Sequence, residues 1–303
     1  MKLTAVTAFI LLTMNLYAQK VIPLYKGSIP NSIEHPDQEH SEDINGVLII
    51  HQVSRPTLTV YQPPKGTSNG TAILVIPGGG YGIVAAKHEG YDLAERFASV
   101  GFTAFVLKYR LPDDSIMTNR SNGPLQDAQT AMNYIRQNAK KYGINKNQVG
   151  VMGFSAGGHL AASVGTHYQH PVLPSMTADN VKPSFMVLVY PVISFSDSIG
   201  HIGSRDNLLG QGATKQQIDA YSNELLVNES TAPTFLIHAK DDDVVPVANS
   251  TVFYDLLRKK NVPAEIYLYE KGGHGFGMNN PTSDVKWVEK VIPWINGTAT
   301  GNR

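Results

Sequence analysis

From residue 71 onward, short runs without a polar position alternate with longer stretches whose apolar residues recur every three or four positions. Ala72-Ile73-Leu74-Val75-Ile76 is such a run, and an unbroken apolar strand is one covered on both faces. Residues 103–107, 149–152, 185–190, 234–239 and 264–269 also read as strands. Residues 87–100, 125–142, 156–164, 247–260 and 283–295 read as helices; in the second of these, Ala128, Ala131, Met132, Ile135 and Ala139 form one stripe. Strand and helix in alternation predict an α/β protein with a mostly parallel central sheet. The crossover helices that parallel strands require then cover both of its faces.

The ends of this pattern are less regular. Residues 19–45 carry Pro23, Pro30 and Pro36 among scattered polar residues and read as an irregular N-terminal arm. Two β-prone runs, 47–53 and 58–61, are expected to pair as a starting hairpin, closed by Pro63-Pro64-Lys65-Gly66. Residues 46–297 are expected to form a single domain. Within it, residues 191–231 break the rhythm, with Asp197, Gly200, Gly203, Gly210 and Gly212 around a short helical patch at 218–226. This insertion is expected to lie over the sheet edge near a substrate site, or to be a plain long loop.

Composition narrows the function classes. The chain has 303 residues, 42% hydrophobic and 17% charged, which is an ordinary globular balance. Lys plus Arg and Asp plus Glu each number 25, so the basic excess that holds nucleic acid or an anionic membrane is missing. With no cysteine, a disulfide framework, a thiolate metal site, a Cys nucleophile and a lipid-modified N-terminal Cys are excluded. Met1-Lys2, an uncharged apolar stretch over 3–16, and Ala18 before Gln19 match a secretory signal peptide spanning residues 1–18. The stretch is too short for a comfortable membrane span, and an uncleaved membrane anchor is the rival reading. The expectation is a secreted or periplasmic protein with no stable membrane association after cleavage; no oligomeric state is read from the sequence.

The strongest chemical signal is Gly153-Phe154-Ser155-Ala156-Gly157, between an expected strand and an expected helix. A serine on such a turn sits in strained backbone with its hydroxyl above the sheet, at a helix N-terminus that favours developing negative charge. Small flanking glycines let neighbouring chain pass close by. A hydroxyl needs a base to become a nucleophile. Lys271-Gly272-Gly273-His274-Gly275-Phe276-Gly277 follows the last strand, a loop able to carry the His274 imidazole back over the sheet. Of the 10 histidines, His238 falls inside an expected strand and His159 inside the helix after Ser155, and both read as structural. His35, His40, His51, His88, His167, His170 and His201 lie outside any such loop.

A third group must accept a hydrogen bond from the imidazole and fix its tautomer. Asp241, Asp242 and Asp243 are the candidates, and three adjacent carboxylates cannot all face one ring. A calcium loop is the rival reading of this run, but it lacks the spaced ligands and closing Glu of an EF-hand, and no metal is expected. Gly78-Gly79-Gly80 would suit a phosphate-binding loop only if Gly-Lys-Ser, or a Gly-x-x-Gly entering a helix, followed; neither does.

At these residues the chain resembles the bacterial esterase/lipase group of the α/β-hydrolase superfamily, nearest to acetyl xylan esterases and related carbohydrate acetylesterases. The resemblance is carried by residues 77–81, Phe105-Val106-Leu107-Lys108-Tyr109-Arg110-Leu111-Pro112, Leu125-Gln126-Asp127-Ala128, and residues 150–161, 242–250 and 269–277. It implies the α/β-hydrolase fold, whose chain order of nucleophile, acid and base is Ser155, Asp242, His274. The family pattern Asp-x-x-Val-Pro singles out Asp242. The glycine-rich loop after the first buried strand stands where such esterases bind the oxyanion, so Gly79 or Gly80, with the Ala156 amide, would supply the donors. Pro77 stands where the family usually has His. The implied activity is removal of acetyl groups from xylan or another acetylated glycan, a neutral substrate, with no metal or organic cofactor. The same triad would also serve a feruloyl esterase. A peptidase of the prolyl oligopeptidase type lacks room here for its propeller, and a non-catalytic glycan-binding protein would not need all three residues.

Overall fold

The computed structural model describes residues 20–299, and the expected signal peptide, residues 1–18, lies outside the described residues. In chain order the strands are β1 (Lys20–Pro23), β2 (His40–Ile44), β3 (Val47–His51), β4 (Thr57–Tyr61), β5 (Ala72–Ile76), β6 (Val84–Ala85), β7 (Thr103–Lys108), β8 (Val149–Phe154), β9 (Met186–Val189), β10 (Thr234–Ala239) and β11 (Ala264–Tyr269). Eight of them form one sheet in the order β1-β4-β7-β5-β8-β9-β10-β11. From β7 to β11 every neighbouring pair is parallel; β1 and β4 add an antiparallel edge.

The unbroken apolar runs follow from burial on two faces. Leu74 and Ile76 enter one core cluster with Leu188 and Leu236, while Ile73 and Val75 enter the other with Val187 and Trp287. The helices Asn122–Gln137, Ser155–Thr166 and Ala248–Lys259 cover the first face through Ala128, Leu160 and Phe253. Asp92–Ser99 and Trp287–Ala299 cover the second through Phe97 and Val291. This is the α/β-hydrolase fold, a mostly parallel sheet flanked by helices on both sides.

The N-terminal region differs from expectation. β3 and β4 are not a hairpin. β3 pairs with β2 and β6 in a separate three-stranded antiparallel sheet, whereas β4 pairs with β1 and β7. The true hairpin turn is Asn45-Gly46, whose φ angles of 55° and 84° suit the turn that joins β2 to β3. β2 reads His-Ser-Glu-Asp-Ile and is exposed throughout, so no hydrophobic pattern marks it. The expected irregular arm therefore contains two strands, and buried polar contacts fasten it. The fully buried Arg110–Asp127 ion pair, 2.7 Å, is joined by Tyr25 Oη donating to Asp127, while Arg110 also reaches Pro30 O and Ser32 Oγ at 3.0 Å.

Residues 191–231 hold the helices Ile202–Leu209 and Lys215–Ala220 and the 3-10 turn Asn223–Leu226. Thr214 and Gln217 form a reciprocal capping box that starts the second helix. From the first, Asn207 Nδ2 donates to Gly80 O at 2.9 Å, which sets this segment beside the glycine-rich loop. Among the described residues no helix is long and apolar enough to cross a membrane.

Candidate active site

β8 ends at Phe154 in extended backbone, and Ser155 turns at once into the left-handed region, φ 50°, as its helix begins. A non-glycine residue held there costs about 1–3 kcal/mol, which the surroundings must offset. Part of that hold is the Val192 amide, which donates to Ser155 O at 3.0 Å. The flanking glycines are required by contact. A Cβ on Gly153 would lie 2.1 Å from Gly157 O, and one on Gly157 would lie 2.3 Å from both Ile76 O and Pro77 O. The turn can therefore press against the loop after β5.

Above this turn the structure brings together Ser155, His274 and Asp242. Ser155 Oγ is 2.8 Å from His274 Nε2, and His274 Nδ1 is 2.7 Å from Asp242 Oδ2. The imidazole arrives on a loop in which Gly273 and Gly275 take φ of 60° and 78°, a path that few side chains tolerate. The Gly273 amide donates to Asp241 Oδ1 at 2.9 Å, and the edge-on ring of Tyr190 packs against His274 at 4.9 Å. Asp241 thus supports the loop and Asp242 meets the ring, while Asp243 is exposed.

Burial alone would raise the Asp242 carboxyl. Hydrogen bonds from His238 and His274, the His274 charge and the Val245 amide outweigh it and hold the group well below the usual carboxylate range. Its Oδ1 takes the amides of Val244 and Val245 at 3.0 and 2.8 Å. A buried, ionised carboxylate on Nδ1 and a hydroxyl on Nε2 let the imidazole take the hydroxyl proton as Oγ attacks an electrophilic carbon.

The glycine-rich loop borders the same turn, since a Cβ on Gly78 would lie 2.9 Å from Ser155 Cβ. The Gly78 amide is already engaged, donating to Glu89 Oε2 at 2.8 Å. Among the described residues the amides of Gly79 and Gly80 donate to no other group. The Ala156 amide belongs to the first helical turn, where no intrahelical acceptor exists. These three amides, on the loop after β5 and at the start of the serine helix, are available as donors. No group of three or more His, Asp or Glu among the described residues is arranged to hold a metal ion.

Four residues at the site were not singled out from the sequence. His238 is joined to Asp242, Glu89 to the glycine-rich loop, and Tyr190 packs on His274. The fourth, His201, caps the helix Ile202–Leu209. Its pKa is lowered by burial and by the nearby charge of His274. None of the four is marked by periodicity; only the tertiary approach of the elements that carry them reveals them.

The fold and this arrangement define the class as an α/β-hydrolase of the esterase group. Residues 58–257 match the BD-FAE family, and the chain belongs to it. It is 37% identical over 216 residues to an acetylxylan esterase of Xylanibacter ruminicola, covering 69% of this chain and 42% of the relative. It is 36% identical over 210 residues to endo-1,4-beta-xylanase B of Butyrivibrio fibrisolvens, covering 69% of this chain and 33% of that protein. The chain thus spans less than half the length of these two relatives. Among solved structures it is similar to an acetyl ester-xyloside bifunctional hydrolase from Caldicellulosiruptor lactoaceticus, with a TM-score of 0.72, 33% identity, and 93% and 94% of the two chains covered.

Proposed function

We propose that this protein is a carboxylic-ester hydrolase of the serine type that removes acetyl groups from xylan or another acetylated glycan. The observation that carries the reading is the continuous hydrogen-bonded line Ser155–His274–Asp242, at 2.8 and 2.7 Å. Ser155 Oγ attacks the ester carbonyl carbon while its proton passes to His274 Nε2, and the oxyanion is held by the Ala156 amide with Gly79 or Gly80. His274 then returns the proton to the departing sugar oxygen. Water attacks the acetyl-enzyme, giving its proton to His274, and acetate leaves as Ser155 is reprotonated. The acetylated sugar is supported by the names of the acetylxylan esterase and the acetyl ester-xyloside hydrolase.

Export is part of the proposal. The basic start at Lys2 and the apolar stretch that follows support it, and the mature protein is expected to begin at Gln19 on N-terminal sequencing.

The testing experiment is acetate release from acetylated xylan, with 4-nitrophenyl acetate alongside, by the wild type and Ser155→Ala. Release from both substrates, lowered by about 10⁴-fold or more in the folded variant, is the expected result. A near-normal Ser155→Ala removes the nucleophile assignment. Activity on the small ester alone keeps the esterase and discards xylan, and feruloyl esters become the next substrates.

A further inference from the structure

Glu89 is a carboxylate buried to 3% exposure that the steps above do not use. It lies on a single π-helical turn, Lys87–Tyr91, a local widening that recurs at functional sites. Gly90 lets this turn approach the loop after β5, because a Cβ there would lie 3.0 Å from the Pro77 ring and 2.9 Å from Val106.

Both carboxylate oxygens are occupied, each by a different part of the site. Oε2 accepts the Gly78 amide at 2.8 Å, and Oε1 accepts the Tyr190 hydroxyl at 2.8 Å. Tyr190 Oη in turn accepts the Gly277 amide at 2.8 Å, and the Tyr190 ring packs on His274. Burial, then the Glu89 charge, holds the Tyr190 phenol far above its ordinary pKa, so it stays a donor. The peptide between Pro77 and Gly78 is pinned at both ends, its N–H by Glu89 and its carbonyl by Tyr109 Oη at 3.1 Å. His88 Nε2 lies 3.7 Å from Glu89 Oε1.

We propose that Glu89 is a positioning residue that ties the oxyanion loop to the His274 loop, fixing the Gly79 and Gly80 amides against Ser155 and the imidazole above it. A carboxylate suits this task because it accepts two hydrogen bonds from different directions and donates none. Misplacing preorganised donors by a fraction of an ångström weakens the transition state without weakening the bound ester, so the loss falls on kcat and not on KM. The inference rests on the proposed roles of Ser155 and His274.

The test compares Glu89→Ala, Glu89→Gln and Tyr190→Phe with the wild type on 4-nitrophenyl acetate, normalised by titrating Ser155 with a fluorophosphonate. Affinity for a boronic acid that mimics the tetrahedral adduct is measured in parallel. Glu89→Ala is expected to lower kcat about 10²-fold with KM within about threefold, and boronate affinity to fall in step with kcat. Glu89→Gln, which keeps an acceptor for Gly78, recovers most of the loss. A folded Glu89→Ala with kcat within about twofold of wild type overturns the proposal. So does a loss in which KM worsens as much as kcat while boronate affinity is unchanged. Should Glu89→Ala fail to fold, Tyr190→Phe decides: it keeps the Gly78 bond and cuts only the tie to Gly277. A kcat about tenfold lower supports the tie and an unchanged kcat overturns it. An active Ser155→Ala would mark failure of the esterase reading; an inactive Ser155→Ala with unaffected Glu89 variants would mark failure of this inference alone.

Discussion

His238 Nε2 lies 3.1 Å from Asp242 Oδ2, the same oxygen that His274 Nδ1 meets at 2.7 Å. His238 Nε2 also faces Val245 O at 3.0 Å, so it sits between two acceptors and carries the proton, while Nδ1 takes the Ser250 hydroxyl at 2.7 Å. The strand residue therefore supplies Asp242 with a permanent second donor. His238→Phe is expected to lower unfolding free energy at neutral pH by about 1–3 kcal/mol, from the lost bonds. Asp242 has a folded pKa below its unfolded value near 3.8, so its stabilisation is present above that pH and lost as pH falls through the folded value. With one donor gone its pKa rises, and the stability of His238→Phe should fall less steeply than wild type in acid. Urea titrations across the acid range check this; parallel curves would sink it.

Asp242→Asn should lower kcat by about 10³–10⁴-fold, because an amide in place of the carboxylate can hold the wrong imidazole tautomer and cannot steady the imidazolium. Asp241→Asn still offers an oxygen to the Gly273 amide and should stay within about threefold of wild type, and the exposed Asp243→Asn should be silent. Steady-state kinetics on 4-nitrophenyl acetate give the ranking, and any other order misassigns the acid.

His159 is enclosed between Tyr81 Oη on Nδ1 and Tyr221 O on Nε2, stacked on Phe195, and burial drives its pKa from 6.5 down to about 3. Below pH 6.5 the unfolded chain takes a proton that the folded one refuses, so this residue removes stability as pH falls from 6.5 towards 3. The slope approaches about 1.4 kcal/mol per pH unit. His159→Gln should remove that share, leaving a shallower decline in denaturant-derived stability through mildly acidic pH. An unchanged slope would show that the ring titrates normally.

Gly157→Ala tests the close approach of the serine turn to the loop after β5, where the added Cβ would meet two carbonyl oxygens at 2.3 Å. Relief requires backbone movement at Pro77, next to the glycine-rich loop. We expect a loss of about 1–3 kcal/mol in stability and about 10²-fold in kcat, measured by thermal unfolding and by kinetics on the folded fraction. A fully active Gly157→Ala would mean the loop can move without consequence.

The parts of this protein that were legible in the sequence are those whose signal is local. β10 and β11 lie at residues 234–239 and 264–269 as expected: β10 is buried on both faces and leaves an apolar run, while β11, at the sheet edge, is marked by its β-prone Ile266-Tyr267-Leu268-Tyr269. The sharp turn at Ser155 and the loop at His274 are marked by glycines on either side, which contact or backbone conformation requires. β2 was hidden for the opposite reason: it is polar, exposed and held by backbone pairing, which any side chain can support. The choice of Asp242 over its neighbours came from resemblance to a family, since adjacent aspartates look alike until one of them is seen facing a ring.

The sequence by itself determined the alternation of strand and helix, the two-sided burial of the sheet, and the presence of a serine turn and a histidine loop in the order of an α/β-hydrolase. These follow from periodicity and backbone permissiveness, which act over a few residues. Only the tertiary structure decided that β4 joins β7 rather than β3, that Gly78 gives its amide to Glu89, and that His238 shares an oxygen with His274. Those contacts join residues on separate elements, or side chains turned towards each other by a bend. Their hydrogen-bonding partners are fixed when the elements pack together, and no run of neighbouring residues records that choice.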